Sequence, residues 1–397
     1  MPDSKTVARK GGQRALLSVL SLSVFFVGAS EFMLAAMLNP LGAAFGTDTA
    51  QTTWLISSYA LAYAIAAPIL GHLSDRVDRR RLLLIALLSF SVDGLGIAFA
   101  PSFEAAVALR IFGGLASAVI IPNAFALIAD AMPRARHASA MGAVMLGMTL
   151  GIASGPAIAG LLTSWLGWRA PFILAAAGCL AAFAIGRVAI PKTRAPVAAA
   201  RAQGLQWLRR WPIVRPMLAK GLWNGTAVGA FLLSGEVLRQ RYRLDVAGVG
   251  LSAAAFGIGL GIGNLSAGWL RRLAASEERA LVCTTALLAT AIGAFHFLAL
   301  PLPAALVCLA AWGAALGAGA PLSTTVLAHR AHHDKGAVLA AAETLNNVSI
   351  LVFVPPASAL LANGNGYLAA GVLMGGVVMG VGLSVWDALK AGHGPAV

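Results

Sequence analysis

The chain has 397 residues, 59% of them hydrophobic and only 11% charged, with a mean hydropathy of +0.81. A soluble chain of this length would be two or three domains, each needing about a quarter of its residues charged to cover its surface, and that supply is missing. The net charge of +14 lies in short clusters between apolar stretches, a pattern that argues against a nucleic-acid face and for an integral membrane protein.

A spanning helix needs about 20 mostly apolar residues, and twelve stretches qualify: 15–37, 51–70, 82–100, 104–128, 138–163, 170–189, 214–237, 247–270, 280–300, 303–326, 336–361 and 367–388. The first span carries Glu31 and follows a polar, basic start with no small-residue cleavage site, so it reads as a retained span. Span 2 carries Tyr59 and Tyr63 one turn apart, span 3 carries Asp93, and span 4 carries Arg110 and Asn123. Span 5 has a ladder of glycines. Between spans 6 and 7 lies the longest connection, 190–213, whose stretch Arg201–Pro212 mixes basic and apolar residues as a short interfacial helix does. Span 7 carries Asn224 and ends at Glu236 beside Arg239, Arg241 and Arg243, a rim ion pair; span 9 carries His296, read as structural, and span 11 carries Glu343, Asn346 and Asn347.

With both termini cytoplasmic, 24 of the 29 Lys and Arg residues fall on the inner side, Lys220 among them, which fixes the orientation. Trp54, Trp165, Trp168, Trp207, Trp211, Trp269 and Trp386 lie near the span ends, where amphipathic rings sit. Cys179, Cys283 and Cys308 lie inside apolar stretches with no metal-ligand spacing and read as core filling. The His329, His332 and His333 cluster reads as a solvated loop, with metal binding left open. No cofactor or resident metal is implied.

The chain repeats itself. Pro122 and Pro156 recur as Pro321 and Pro355, each pair 199 residues apart, and Asp130 recurs as His329 at the same offset. The expected fold is all-α and membrane-integral, with twelve transmembrane helices in two six-helix halves, 1–189 and 214–397, joined by a cytoplasmic linker, 190–213. An even number of helices per half makes the repeat parallel, with a substrate site between the halves near the midplane.

Three signature stretches, and the segment Gly28-Ala-Ser-Glu31-Phe32 through Pro40, carry a family resemblance. The loop after span 2 reads Gly71-His-Leu-Ser-Asp75-Arg76-Val-Asp78-Arg79-Arg80-Arg81; span 4 reads Arg110-Ile-Phe-Gly113-Gly114; span 5 reads Gly147-x-x-x-Gly151-x-x-x-Gly155-Pro156-x-x-x-Gly160. The first resembles the G-x-L-x-D-R-x-G-R-R loop of the major facilitator superfamily, with Asp78 in place of glycine. The second is similar to that family's R-x-x-Q-G, with Gly113 in place of glutamine. The third resembles its antiporter signature, with Ala159 departing near the end. The stretch around Glu31 is similar to the opening of the twelve-helix drug:proton antiporters, where the acid faces the cavity. The resemblance implies that Gly71, Asp75, Arg76 and Arg79 belong to a conformational latch, that Glu31 and Arg110 couple protons to substrate, and that span 5 marks an exporter. Tyr59, Tyr63, Asn123, Asn224, Glu343, Asn346, Asn347 and Asp93 are further candidates for the cavity lining; the resemblance favours span 11, which lines the cavity in relatives, and counts against Asp93, whose helix is usually peripheral there.

The residues alone keep blander readings open. A mid-membrane Arg costs at least about 2.5 kcal/mol, which Arg110 could avoid by snorkelling, and Glu31 lies six residues from the end of its span and could sit at the rim. No GxxxxGK[ST] sequence occurs, so the chain carries no P-loop for ATP. The spans hold isolated acids and not the paired constellation an enzyme needs. The expected function is a proton-coupled antiporter of the bacterial inner membrane, exporting a small organic molecule by alternating access, with protons, substrate and bilayer as partners and a monomer sufficient. The alternative is a proton-coupled symporter or exporter of a sugar, nucleoside or amino acid.

Overall fold

The computed structural model describes residues 4–74, 77–191, 205–274, 276–331 and 334–391, all of it helix and connecting turn. The helices are α1 Ser4–Phe32, α2 Leu34–Phe45, α3 Thr49–Thr52, α4 Trp54–Ser74, α5 Arg79–Ala98, α6 Phe103–Ala131, α7 His137–Leu166 and α8 Arg169–Ala189, followed by α9 Trp211–Tyr242, α10 Val246–Leu273, α11 Glu277–Phe297, α12 Leu302–Ala331, α13 Lys335–Ala362 and α14 Gly366–Ala391. Eleven of them are long and apolar enough to cross a membrane. The twelfth long helix, α9, carries Arg215, Lys220, Asn224 and Glu236, all buried. It can be that polar because these groups face protein, the place where intramembrane charges are tolerated. Large apolar side chains such as Val188, Leu265 and Val307 stand on the exterior, as a bilayer requires and water does not.

Helix starts follow the local chemistry. Asp78, Ser102, Asp245 and Ser276 each accept a hydrogen bond from a backbone N–H three residues on, satisfying donors that a helix start leaves free. Asp78 has φ −56°, so the departure from glycine at this position costs no backbone strain and supplies a cap. The first span differs from its expected course: it runs as α1, turns at Met33, and continues as α2 through Pro40 to Phe45. Glu31 is therefore close to the turn and well inside the bundle, which removes the rim reading.

The end of the bundle that holds both termini is tied by ion pairs. Arg79, which opens α5, gives two 2.8 Å bonds to Asp130 of α6. In the second half the charges are reversed: Glu277 and Glu278 open α11 and pair with His329 and Arg330 of α12. Arg330 also bonds Asp387 of α14 at 2.8 Å, and the same carboxylate accepts from Arg215 of α9 at 2.6 Å. Asp387 and Arg215 are buried, so removing the acid leaves an uncompensated buried charge, at a cost of about 3–5 kcal/mol. Asp387→Asn is expected to lower the Tm of the detergent-solubilised protein; an unchanged Tm would show that water reaches these arginines.

The segment read as an interfacial helix differs from expectation where it is described. Leu205–Arg209 is a 3-10 turn, and Trp207 is buried among Ile213, Met217, Leu327, Val338 and Ala342. The ring anchors the linker to the ends of α9, α12 and α13, which offer it more apolar contact than the membrane surface would. Residues 201–204 lie outside the described part, as do Asp75, Arg76, His332 and His333.

Candidate functional site

Two helix pairs join the first half of the chain to the second, α7 with α10 and α4 with α13, and α2 packs on α9 and α10. The glycines of α7 have divided roles. A side chain on Gly147, Gly151 or Gly155 would run into the backbone of Ser21, Phe25 or Ala29 in α1, whereas one on Gly160 would meet the Val246 carbonyl of α10 at 2.6 Å. In the opposite direction, Gly250 of α10 seats the Pro156 carbonyl and Gly257 seats Ala153. One small-residue helix thus packs closely on both α1 and α10, as small residues allow when backbones approach. Pro156 frees the backbone around it, and Asn264 of α10 donates to Thr149 of α7 at 3.0 Å.

At the end away from the termini the two halves close. Gly235 of α9 lies against the Ala35 carbonyl of α2 so tightly that no side chain fits between them. Thr53 and Ser358 share a buried 2.8 Å hydrogen bond between the start of α4 and α13. Phe32 packs on Phe231 and Phe256, whose rings stack 3.9 Å apart and meet Trp312 edge-on. Beyond this seal a cavity of about 410 Å³ opens between α2, α9 and α10, lined by Asn39, Glu236, Arg239, Gln240, Arg243 and Asp245 among others. Glu236 there bonds Arg239 and accepts from Gln240 at 2.7 Å. Arg241 turns away and donates to the carbonyls of Phe295 and His296.

Next to the aromatic seal is a small cavity of about 10 Å³, lined by Glu31, Leu34, Ile56, Tyr59, Ala60, Arg110, Leu232, Asn347 and Ile350. Residues from both halves meet here. The Glu31 carboxylate has no hydrogen-bond partner among the described residues and faces the charges of Arg110 and Glu343. Arg110 is 1% exposed, which rules out snorkelling. It lies over the Tyr59 ring at 4.8 Å and donates to the Leu55 carbonyl at 3.4 Å and to Asp93 at 3.3 Å.

The remaining candidates separate. Asp93 is fully buried behind Arg110 and does not line the cavity. Asn123 is 1% exposed and donates to the Val119 carbonyl within its own helix, and Asn224 is buried in α9; neither lines this cavity. Tyr63 is half-buried one turn from Tyr59. Glu343 accepts from Lys220 at 2.8 Å, and Lys220 also reaches Thr324 at 3.3 Å. Asn347 donates to the Glu343 carbonyl, and the side-chain oxygen of Asn346 is buried without a partner among the described residues. Lys220, counted in sequence with the cytoplasmic basic residues, is therefore an interior residue 3% exposed. Its signal was available: one lysine a full helical turn or more inside an apolar run, with an acid free to receive it.

Helices long and apolar enough to span a membrane, enclosing ionisable groups at the junction of two packed units, define a multi-pass membrane protein with a buried polar centre. The family model of the Major Facilitator Superfamily matches residues 20–235, more than half of the chain, and the chain belongs to that superfamily. The chloramphenicol resistance protein of Streptomyces lividans is 30% identical over 259 residues, 64% of this chain and 66% of that one. The multidrug efflux pump LfrA of Mycolicibacterium smegmatis is 34% identical over 184 residues, 45% of this chain and 36% of LfrA. Neither match reaches two thirds of the relative. The crystal structure of a D-xylose–proton symporter superposes with a TM-score of 0.76 over 94% of this chain and 96% of that one, at 16% identity, a likeness of fold alone.

Proposed function

We propose that this transporter is a proton-coupled antiporter that exports a small organic molecule across the bacterial inner membrane. Both termini are cytoplasmic in this reading, and residues 1–189 and 214–397 rock about the α7–α10 and α4–α13 contacts. The observation that carries it is Glu31: an acid without a bonded partner among the described residues, in a cavity lined from both halves, with Arg110 as the cation beside it. A proton and a substrate that compete for one such site exchange with each other, because each leaves when the other binds. The resemblance to a chloramphenicol resistance protein and a multidrug pump supports export of a drug-like molecule.

The test is substrate-dependent proton movement in everted vesicles energised with a pH gradient, across a panel of antibiotics, dyes, sugars and nucleosides. Dissipation of the gradient by an antibiotic or dye is the expected result. Dissipation by a sugar or nucleoside alone, with uphill uptake in the opposite direction, would overturn the antiport reading in favour of a symporter. Each pH unit supplies about 1.36 kcal/mol per proton, so a gradient of one unit sustains about a tenfold substrate ratio.

A further inference from the structure

The contact between Arg110 and Asp93 is an unusual pair. A settled Arg–carboxylate pair is bidentate, with N–O distances of about 2.7–2.9 Å. Here one long contact of 3.3 Å joins them inside the bundle, with Asp93 0% and Arg110 1% exposed. Asp93 Oδ1 and Arg110 Nη2 are both buried without a partner among the described residues. Leaving such groups unpaired costs stability, so the arrangement has a reason outside the pair itself.

Position 113 supplies one. Gly113 follows Arg110 by one turn of α6, and a Cβ there would lie 2.6 Å from the carboxyl carbon and one oxygen of Asp93. The missing side chain is what admits the acid. Where the R-x-x-Q-G pattern places a neutral amide, this chain brings in an anion from α5. Arg110 then stands between two carboxylates: Asp93, sealed behind it, and Glu31, which lines the cavity with it. A guanidinium has five donors and one charge, so it can neutralise one of the two acids at a time.

We propose that Asp93 is a positioning residue that holds Arg110 while Glu31 carries its proton, and yields Arg110 to Glu31 when that proton leaves. This rests on the reading of Glu31 as the proton site. With Glu31 protonated, the three groups carry no net charge and the Asp93–Arg110 pair stands. When Glu31 releases its proton into the cavity, the free Nη2 of Arg110 takes the new carboxylate and the long bond to Asp93 gives way. No covalent bond other than the O–H bond of Glu31 breaks, and one proton moves per exchange. The other titratable or charged groups facing the triad are Tyr59 and Tyr63 from α4, Cys179 from α8, and Glu343 of α13, itself held by Lys220 of α9.

The test uses the full-length protein in lipid nanodiscs, following the infrared absorption of protonated carboxyl groups against pH. Wild type is expected to show an acid band that Glu31→Gln removes. In Asp93→Asn that band persists, and its midpoint moves to lower pH by about one unit or more, because Arg110 is then permanently available to Glu31. In parallel, the pH optimum of ethidium- or chloramphenicol-driven proton movement in everted vesicles shifts in the same direction. A midpoint unchanged from wild type would overturn the proposal while leaving Glu31 as the proton site. If wild type has no band sensitive to Glu31→Gln, the proton reading itself fails and the proposal with it. Should Asp93→Asn not accumulate, Asp93→Ser combined with Gly113→Gln removes the same charge and refills the space, and the same shift or its absence decides the matter.

Discussion

Glu31→Gln is expected to abolish uphill export while leaving downhill exchange of substrate intact. Glutamine has nearly the shape of a protonated glutamate and cannot release a proton. The cavity would keep its lining of Tyr59, Arg110, Leu232 and Asn347, so substrate contacts and the closing of the halves survive. What is lost is the exchange of proton for substrate. In energised vesicles the accumulation ratio should drop from about tenfold per pH unit to about one, while counterflow of labelled substrate continues at near the wild-type rate. The pH dependence of substrate binding should vanish as well, since wild type binds less as protons compete at low pH and the variant has nothing there to titrate. Gradient-driven accumulation that survives the substitution would move the proton site elsewhere, with Glu343 the next acid facing the same region.

Much of this was legible in the sequence, because a bilayer imposes strong rules. Eleven of the spans follow from length and apolarity, and the parallel repeat shows in prolines spaced 199 residues apart. The exceptions are residues whose partners lie on other helices. Lys220 counts as a cytoplasmic charge in any tally by position, and only the packing of α9 on α13 shows that it is an interior partner of Glu343. Asp93 reads as an isolated acid because Arg110 is on the next helix, and periodicity within one helix says nothing about two. The signal that could have joined them was Gly113, a small residue where a glutamine was due. Trp207 followed the rule for aromatic residues at span ends, yet the linker gives it a pocket of apolar side chains that the membrane surface could not match. The break at Met33 was also hidden, since the apolar stretch 15–37 runs through it without interruption, and the continuation carries past Pro40 to Phe45.

Gly235→Val is expected to hold the transporter open at the end away from the termini. Gly235 and the Ala35 carbonyl are in contact here, where α2 and α9 are packed together, so the added side chain is expected to penalise this closed conformation. Overpacking of this kind costs about 1–3 kcal/mol, which amounts to a population shift of about 5–150-fold. The shift can be read from a cysteine at Leu232, which lines the Glu31 cavity, in a background with Cys179, Cys283 and Cys308 replaced. With the termini cytoplasmic, a membrane-impermeant maleimide added from outside should label it faster by that factor in the variant, and export should fall because the closed state is seldom reached. A cysteine at Leu20, buried in the core of the first half, separates this from general loosening. If Leu20 and Leu232 gain reactivity together, the substitution has damaged packing throughout. A gain at Leu232 alone means that the α2–α9 contact is the outer gate, and that a glycine stands at position 235 so that the gate can shut.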